Sequence, residues 1–311
     1  MHVTRRCFST ALLLPAITVL FPSVLKQATA RAAGGGTATI PLSSVDAAAL
    51  PSSDPLLLVR DDLTGRWTSL GAIPAERGEW LRQLTTFSTT DAGWRQRVAL
   101  VLPDLESSDP LVAEIAVSEV ARAPYSVLDV AKSRIHPARV EGWLGDPKLA
   151  RRHAPYTLLL GFAGGRPEAT RLESRIEEAR MAHRDTNLAA MLTANLELRG
   201  PSRVDWIEER YFADRGRSMP EIEAALLAFA IHGDTDGTVP RARVIQGYRF
   251  FMQQHPPMAG FVVAKFADWG YWDAAPEYAA LLESNPNIDP ASKLAIERYL
   301  QRAAEAKVTH G

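Results

Sequence analysis

The sequence predicts an all-α fold, an α-solenoid of about six stacked helical hairpins behind a short N-terminal β-hairpin. Three observations carry this reading. Apolar residues recur at helical spacing from about residue 75 onward, helix-start signals return every 34 to 39 residues, and Gly or Pro turns separate the helices of each unit.

Composition sets the outer bounds. With 311 residues, 46% hydrophobic and 23% charged, the chain can bury a sizeable core. Residues 1–32 hold Arg5, Arg6, Lys26 and Arg31 and no acidic residue, so removing them takes the formal charge from -1 to about -5. A weakly acidic body without a long basic run excludes nucleic acid as a partner, because affinity for phosphate comes from clustered Lys and Arg. The single cysteine, Cys7, lies in the same segment, so the remainder has no disulfide and no thiolate metal site and is held by packing alone.

Residues 1–32 have the layout of a signal peptide: a charged start, a mostly apolar stretch over Ala11–Leu25 broken by Pro15 and Pro22, and the small-residue exits Ala28-Thr29-Ala30 and Ala30-Arg31-Ala32. The stretch is too short and interrupted for a membrane span, and cleavage would leave no stable span behind. Thr4-Arg5-Arg6-Cys7-Phe8 resembles the twin-arginine motif, with Arg5, Arg6 and Phe8 as its targeting residues; Ser9 and Thr10 depart from the fuller pattern, and Lys26 fits it. The expected location is therefore exported, periplasmic or extracellular. Residues 33–54, with Gly34-Gly35-Gly36, Pro41 and Pro51, read as a flexible linker. Over residues 55–90, Leu56–Val59 and Arg66–Leu70 flank a Gly65-containing loop and predict a β-hairpin, followed by a lead-in helix.

The solenoid is expected over 91–311. Asp109, Asp146, Asp185, Met219, His255 and Asp289 mark six helix starts, at intervals of 37, 39, 34, 36 and 34 residues. Asp-Pro is a strong start signal: the carboxylate accepts from the first free amides, and Pro at the first helical position has no amide to leave bare. Partner helices carry the same periodicity at Leu172, Ile176 and Ala179, at Val204, Ile207 and Tyr211, and at Val244, Tyr248 and Phe251. A lone hairpin cannot bury both its faces, so the units must stack.

Asp109–Ala121 and Asp146–Gly161 resemble HEAT repeats, and Ala121–Tyr125, Trp143–Asp146, Val239–Val244 and Ala267–Trp272 are similar to stretches in exported bacterial HEAT-like proteins of unassigned function. The resemblance covers roughly residues 56–305. It implies a HEAT-like superhelix and says nothing of chemistry.

No H-E-x-x-H, G-x-S-x-G, P-loop or G-x-G-x-x-G occurs, so the chain shows no catalytic motif, metal ligand set or cofactor site. His136 and His255, each before a proline, read as loop or cap residues. An EF-hand register through Asp234–Thr238 would put His232 and Arg243 where Asp and Glu are required, so that stretch reads as a polar turn. Trp269, Tyr271 and Trp272 are the candidate binding residues, able to stack on sugars or anchor a peptide, against a packing role between repeats. The leading expectation is an envelope scaffold that binds a protein partner on its concave face. The alternatives are a glycan-binding module using the tryptophans, or an enzyme bringing three or more titratable side chains into one deep pocket. The leader is testable directly: Arg5→Lys with Arg6→Lys should stop export, and export at the parent level would eliminate the twin-arginine assignment.

Overall fold

A computed structural model of the chain describes the backbone of residues 17–20, 28–31, 37–40, 56–60, 67–285 and 287–310, with side chains over 71–285 and 287–307. The described residues are mostly helical, and the chain divides into two compact units, Met1–Glu119 and Val120–Gly311. The targeting residues Arg5, Arg6 and Phe8 lie outside the described residues.

In the first unit, β1 (Ile17–Leu20), β4 (Leu56–Arg60) and β5 (Trp67–Ala72) form one antiparallel sheet in the order β1-β4-β5, and β2 (Ala28–Arg31) pairs with β3 (Thr37–Ile40). Leu56 stands opposite Ala72 and Arg60 opposite Trp67, with a bulge between Leu57 and Leu58. Gly71 faces Leu57 next to this bulge at φ 127°, a backbone region that only glycine adopts freely. β3 interrupts the linker expected over 33–54; its alternating Thr37-Ala38-Thr39-Ile40 is β-branched at three of four positions and so favours an extended backbone. Helices α1 (Gly78–Thr86) and α2 (Asp91–Val101) follow, and α3 (Pro110–Arg122) runs across the unit boundary. Asp109 caps α3 as its chemistry requires, Oδ1 accepting from the amides of Leu111 and Val112 at 2.9 Å each. The core of this unit gathers Ile73, Leu81, Val98, Val101, Leu105 and Val112, all buried.

The second unit opens with a 3-10 segment, Tyr125–Ser133, and then pairs its helices. α4 (Pro137–Gly145) packs on α5 (His153–Ala163), and α6 (Arg166–Met181) on α7 (Leu188–Arg199). α8 (Ser202–Ile207) runs into a π-helical turn, Glu208–Phe212, which contacts α9 (Met219–Thr235). α10 (Arg241–Gln254) packs on α9, and α12 (Ala275–Ser284) on α13 (Pro290–His310), with α11 (Gly260–Asp268) between them in sequence. The second members also meet one another, α5 on α7, α7 on α9 and α11 on α13.

Five of the six start markers stand shortly before a helix or 3-10 segment and Met219 is the first residue of α9, but not all of them cap. Asp146 caps a 3-10 segment, Pro147–Arg152, and α5 begins only at His153. Asp185 is not the cap of α7: Asn187 holds that place at φ 63°. Ser218, not Met219, caps α9, within a capping box closed by Glu221. His255 stands at the N-cap position of a 3-10 turn, Pro256–Met258, without a side-chain cap bond, whereas His136 caps α4 with its side chain, Nδ1 accepting from the Ala138 amide at 3.3 Å.

Small residues govern how closely the second members approach. A Cβ on Gly161 of α5 would lie 3.0 Å from Ala194 Cα on α7, and a Cβ on Gly260 of α11 would collide with Ser292 of α13. Gly161→Leu should therefore wedge α5 from α7 and cost about 1–3 kcal/mol, the usual penalty for overpacking a core. The urea midpoint should fall accordingly; a midpoint equal to the parent's would show that the approach is not tight.

Candidate functional site

The chemistry of the second unit begins with charges that tie successive helices. Arg175 of α6 binds Glu141 of α4 at 2.6 Å, and Arg203 of α8 meets Glu173 of α6 at 3.8 Å. Arg243 of α10 reaches Asp205 of α8 at 2.5 Å and Glu208 of the π turn at 2.8 Å, and Arg249 pairs with Glu277 of α12. Each first member is thus linked to the next. Glu208 is a partly buried member of this series.

Deeper down, Glu221 is fully buried. Its Oε2 accepts from the amide and hydroxyl of Ser218 at 2.9 Å each, and its Oε1 from Arg217 at 2.9 Å. Burial alone would raise this carboxyl, but Ser218, His183 and Arg217 outweigh it and hold the group below the usual carboxylate range. Arg217 also donates to the carbonyl of Arg180 at 2.8 Å, tying the start of α9 to the end of α6.

Two buried imidazoles join further segments. His232 Nε2 donates to the carbonyl of Thr193 at 3.0 Å, linking α9 to α7, and His255 Nε2 donates to the carbonyl of Phe212 at 2.7 Å. Burial pushes both below the ordinary histidine value, against the pull of those carbonyls. Glu197 lies beside His232, its carboxylate 4.0 Å from Nδ1 and accepting from Thr238 Oγ1 at 2.6 Å and Tyr125 at 3.5 Å.

The candidate binding residues are all engaged in packing. Trp269 stacks on Tyr248 with ring centroids 5.7 Å apart, covers Gly233, and donates from Nε1 to Asp234 at 2.8 Å. Tyr271 tilts against Phe266 at 5.2 Å and gives its carbonyl to the Tyr299 hydroxyl at 2.6 Å. Trp272 tilts against Tyr299 at 5.4 Å, with Arg302 over its ring. All three are partly buried against the core, leaving no free aromatic platform among the three. In the Asp234–Thr238 turn both carboxylates are occupied: Lys265 and Trp269 hold Asp234, and Asp236, at φ 52°, accepts from the Arg241 amide at 2.6 Å.

A cavity of about 290 Å³ lies among α4, α5, α6 and α7. Leu144, Leu172 and Met191 line its apolar side. His153, Arg175, Glu178 and Arg184 stand around it with Thr157, Thr186 and Asn187. The fully buried hydroxyl of Thr157 accepts from Asn187 Nδ2 at 2.9 Å, while Asn187 Oδ1 is buried without a hydrogen-bond partner among the described residues. Two of the four titratable groups are already engaged, Arg175 by Glu141 and His153 by the carbonyl of Asp146 at 3.2 Å. Sequence reasoning missed this site; its one local signal is Asp185-Thr186-Asn187, three successive residues able to cap, before a helix that needs one.

No protein family, curated protein or solved structure matches the chain. Among the described residues, no helix is long and apolar enough to cross a membrane.

The buried imidazoles set a pH dependence. Both stay neutral in the folded chain, whereas in the unfolded chain they take up protons below about pH 6.5. Stability is therefore whole above that pH and is lost as pH falls toward the depressed folded values. The urea midpoint should hold from about pH 8 to 7 and drop from about 6.5 to 5, less steeply in His232→Gln; a level midpoint across the lower range would contradict the assignment.

Proposed function

We propose that the chain is an exported protein of the cell envelope that recognises a protein partner, with its helical hairpins arranged as a HEAT-like α-solenoid acting as scaffold. The observation that carries this reading is a repeat on the surface. Leu227 of α9, Phe261 of α11 and Leu294 of α13 are 44%, 43% and 43% exposed, the only large apolar side chains so exposed among the described residues apart from Met181. They recur at intervals of 34 and 33 residues, close to the 34 to 39 of the start markers, and each sits on a second member. In a solenoid the same face of successive second helices lines the concave side, so the three would form one apolar stripe. A stripe kept at repeat spacing suits a protein partner better than scattered surface residues would.

Export through a twin-arginine leader agrees with this reading, since that route carries folded proteins. Cleavage between Ala30 and Ala33 would take β1 and β2 away with the leader and leave β4 paired with β5 as the N-terminal hairpin. The enzyme alternative rests on the four titratable groups around the cavity. With Arg175 and His153 already engaged, one cation and one anion are left, an arrangement suited to holding a ligand and lacking an acid-base pair. The glycan alternative is weakened by the packing of Trp269 and Trp272 against Tyr248 and Tyr299.

Affinity capture from envelope fractions tests the proposal, comparing the parent with the variant carrying Leu227→Asp, Phe261→Asp and Leu294→Asp. A partner held by the parent and lost by the variant, with the melting temperature preserved, is the expected result. Equal capture by both proteins, or no partner with the parent, would overturn it.

A further inference from the structure

Helix α6 ends on a methionine that the core does not use. Its buried stripe runs through Leu172, Ile176 and Ala179, and the next place along that stripe falls to His183, beyond the helix at φ 50°. Met181 lies on the opposite side, in line with the exposed Ser174 and Glu178, and at 68% is the most open large apolar side chain among the described residues. The other described methionines are spent on packing. Met191 and Met252 are 7% and 6% exposed, and Met219 and Met258 are packed against the core.

A thioether open to water has a chemistry that leucine lacks. With hydrogen peroxide, the sulfur lone pair forms an S–O bond as the O–O bond breaks. The departing hydroxide takes the proton of the bound oxygen and becomes water, so sulfur is oxidised by two electrons to the sulfoxide while peroxide is reduced. The oxidant must reach the sulfur, so exposure decides which methionine reacts. In a core the product disrupts packing, because a polar S=O replaces an apolar group.

At Met181 the new oxygen meets water on one side and a donor on the other. Arg180 Nη2 lies 3.4 Å from Met181 Sδ, while Nε and Nη2 of the same guanidinium hold Glu177 at 3.0 and 2.6 Å. Nη2 carries two hydrogens, one engaged by Glu177 and one available to the sulfur. A sulfoxide oxygen is a stronger acceptor than the thioether, so oxidation converts a weak contact into a charge-assisted hydrogen bond without breaking the Glu177 pair.

We infer that Met181 is an oxidation site of the folded chain, a thioether that takes one oxygen atom from peroxide and whose sulfoxide is held by Arg180. Methionine sulfoxide reductases reverse this step, so the modification is a reversible one. The site is independent of the proposed partner stripe on α9, α11 and α13.

Hydrogen peroxide treatment of the folded full chain tests it, with Cys7→Ser removing the one thiol and peptide mapping by mass spectrometry reading each methionine separately. Met181 should be oxidised at least about tenfold faster than Met191 or Met252, in keeping with exposures of 68% against 7% and 6%. Chain sampled early, when Met181 alone has reacted, should have the urea midpoint of the reduced chain or a higher one. In Arg180→Ala the shift on oxidation should be less favourable than in the parent, since no guanidinium receives the oxygen. Oxidation of Met191 or Met252 as fast as that of Met181, or a midpoint that falls when Met181 alone is oxidised, would overturn the inference. Equal shifts in the parent and Arg180→Ala would overturn the part assigned to Arg180.

Discussion

Helix α7 has no face to give to water. Every residue from Ala190 to Leu196 is buried, including Thr193 and Asn195, so the helix cannot be the outer wall of anything. It must have neighbours all round, and α5, α6, α8 and α9 supply them. That demand explains the polar contacts as well. A buried carbonyl or amide costs about 1–3 kcal/mol if left bare, and His232 reaches across from α9 to the carbonyl of Thr193 while Arg203 Nε donates to Asn195 Oδ1 at 2.6 Å. Gly161 then lets α5 close on the small Ala194 side of the same helix. Four helices of the second unit thus close around α7, with Asn195 Nδ2 left without a partner among the described residues.

The ionic links work on a different energy scale. Arg249–Glu277 joins two exposed groups and Arg243–Asp205 has one well-exposed partner, Asp205, and pairs open to water in this way contribute about 0–1 kcal/mol each. Their effect is to fix register between successive first members, not to drive folding. Arg217–Glu221 differs because both side chains are buried, so losing either partner would leave an uncompensated charge inside. The pair is retained with four further hydrogen bonds around it, from Ser218 to Glu221, from Arg217 to Asp214 and from Arg217 to the carbonyl of Arg180.

Much of the helical organisation was legible in the sequence because cap chemistry is local. Asp109, Asp146 and Asp289 accept from the amides two residues on, as Asp before Pro should, and the periodic stripes at Leu172, Ile176 and Ala179 and at Val244, Tyr248 and Phe251 are buried in α6 and α10. The misses arise where the deciding interaction is distant in sequence. Asp185 looked like a cap because nothing nearby shows that Asn187 takes a left-handed backbone and bonds Thr157, thirty positions earlier. For Trp269 the packing role was legible but its partners were not, since Gly233, Asp234 and Tyr248 lie 21 to 36 residues away. The cavity was illegible for the same reason, since it draws on four helices and a loop.

The tyrosines show how far regularity extends and where it stops. Tyr248 on α10 donates its hydroxyl to the carbonyl of Leu226 at 3.1 Å, and Tyr278 on α12 to the carbonyl of Ala259 at 3.0 Å, each reaching back toward the preceding second member. Tyr211, which follows α8, differs: its buried hydroxyl has no partner among the described residues. The difference is the π-helical turn over Glu208–Phe212. An extra residue in one turn rotates the side chains beyond it, so Tyr211 and Phe212 both point inward, and Phe212 packs edge-on against Phe229 and Phe251 at 5.4 and 5.3 Å. The π-helical turn thus places two adjacent rings, Tyr211 and Phe212, in the core. Burial without a partner then drives the Tyr211 pKa up to about 12, so it stays protonated through any neutral range. A single-residue departure from the helical period therefore brings one more ring into the core beside a phenol that burial holds in its neutral form.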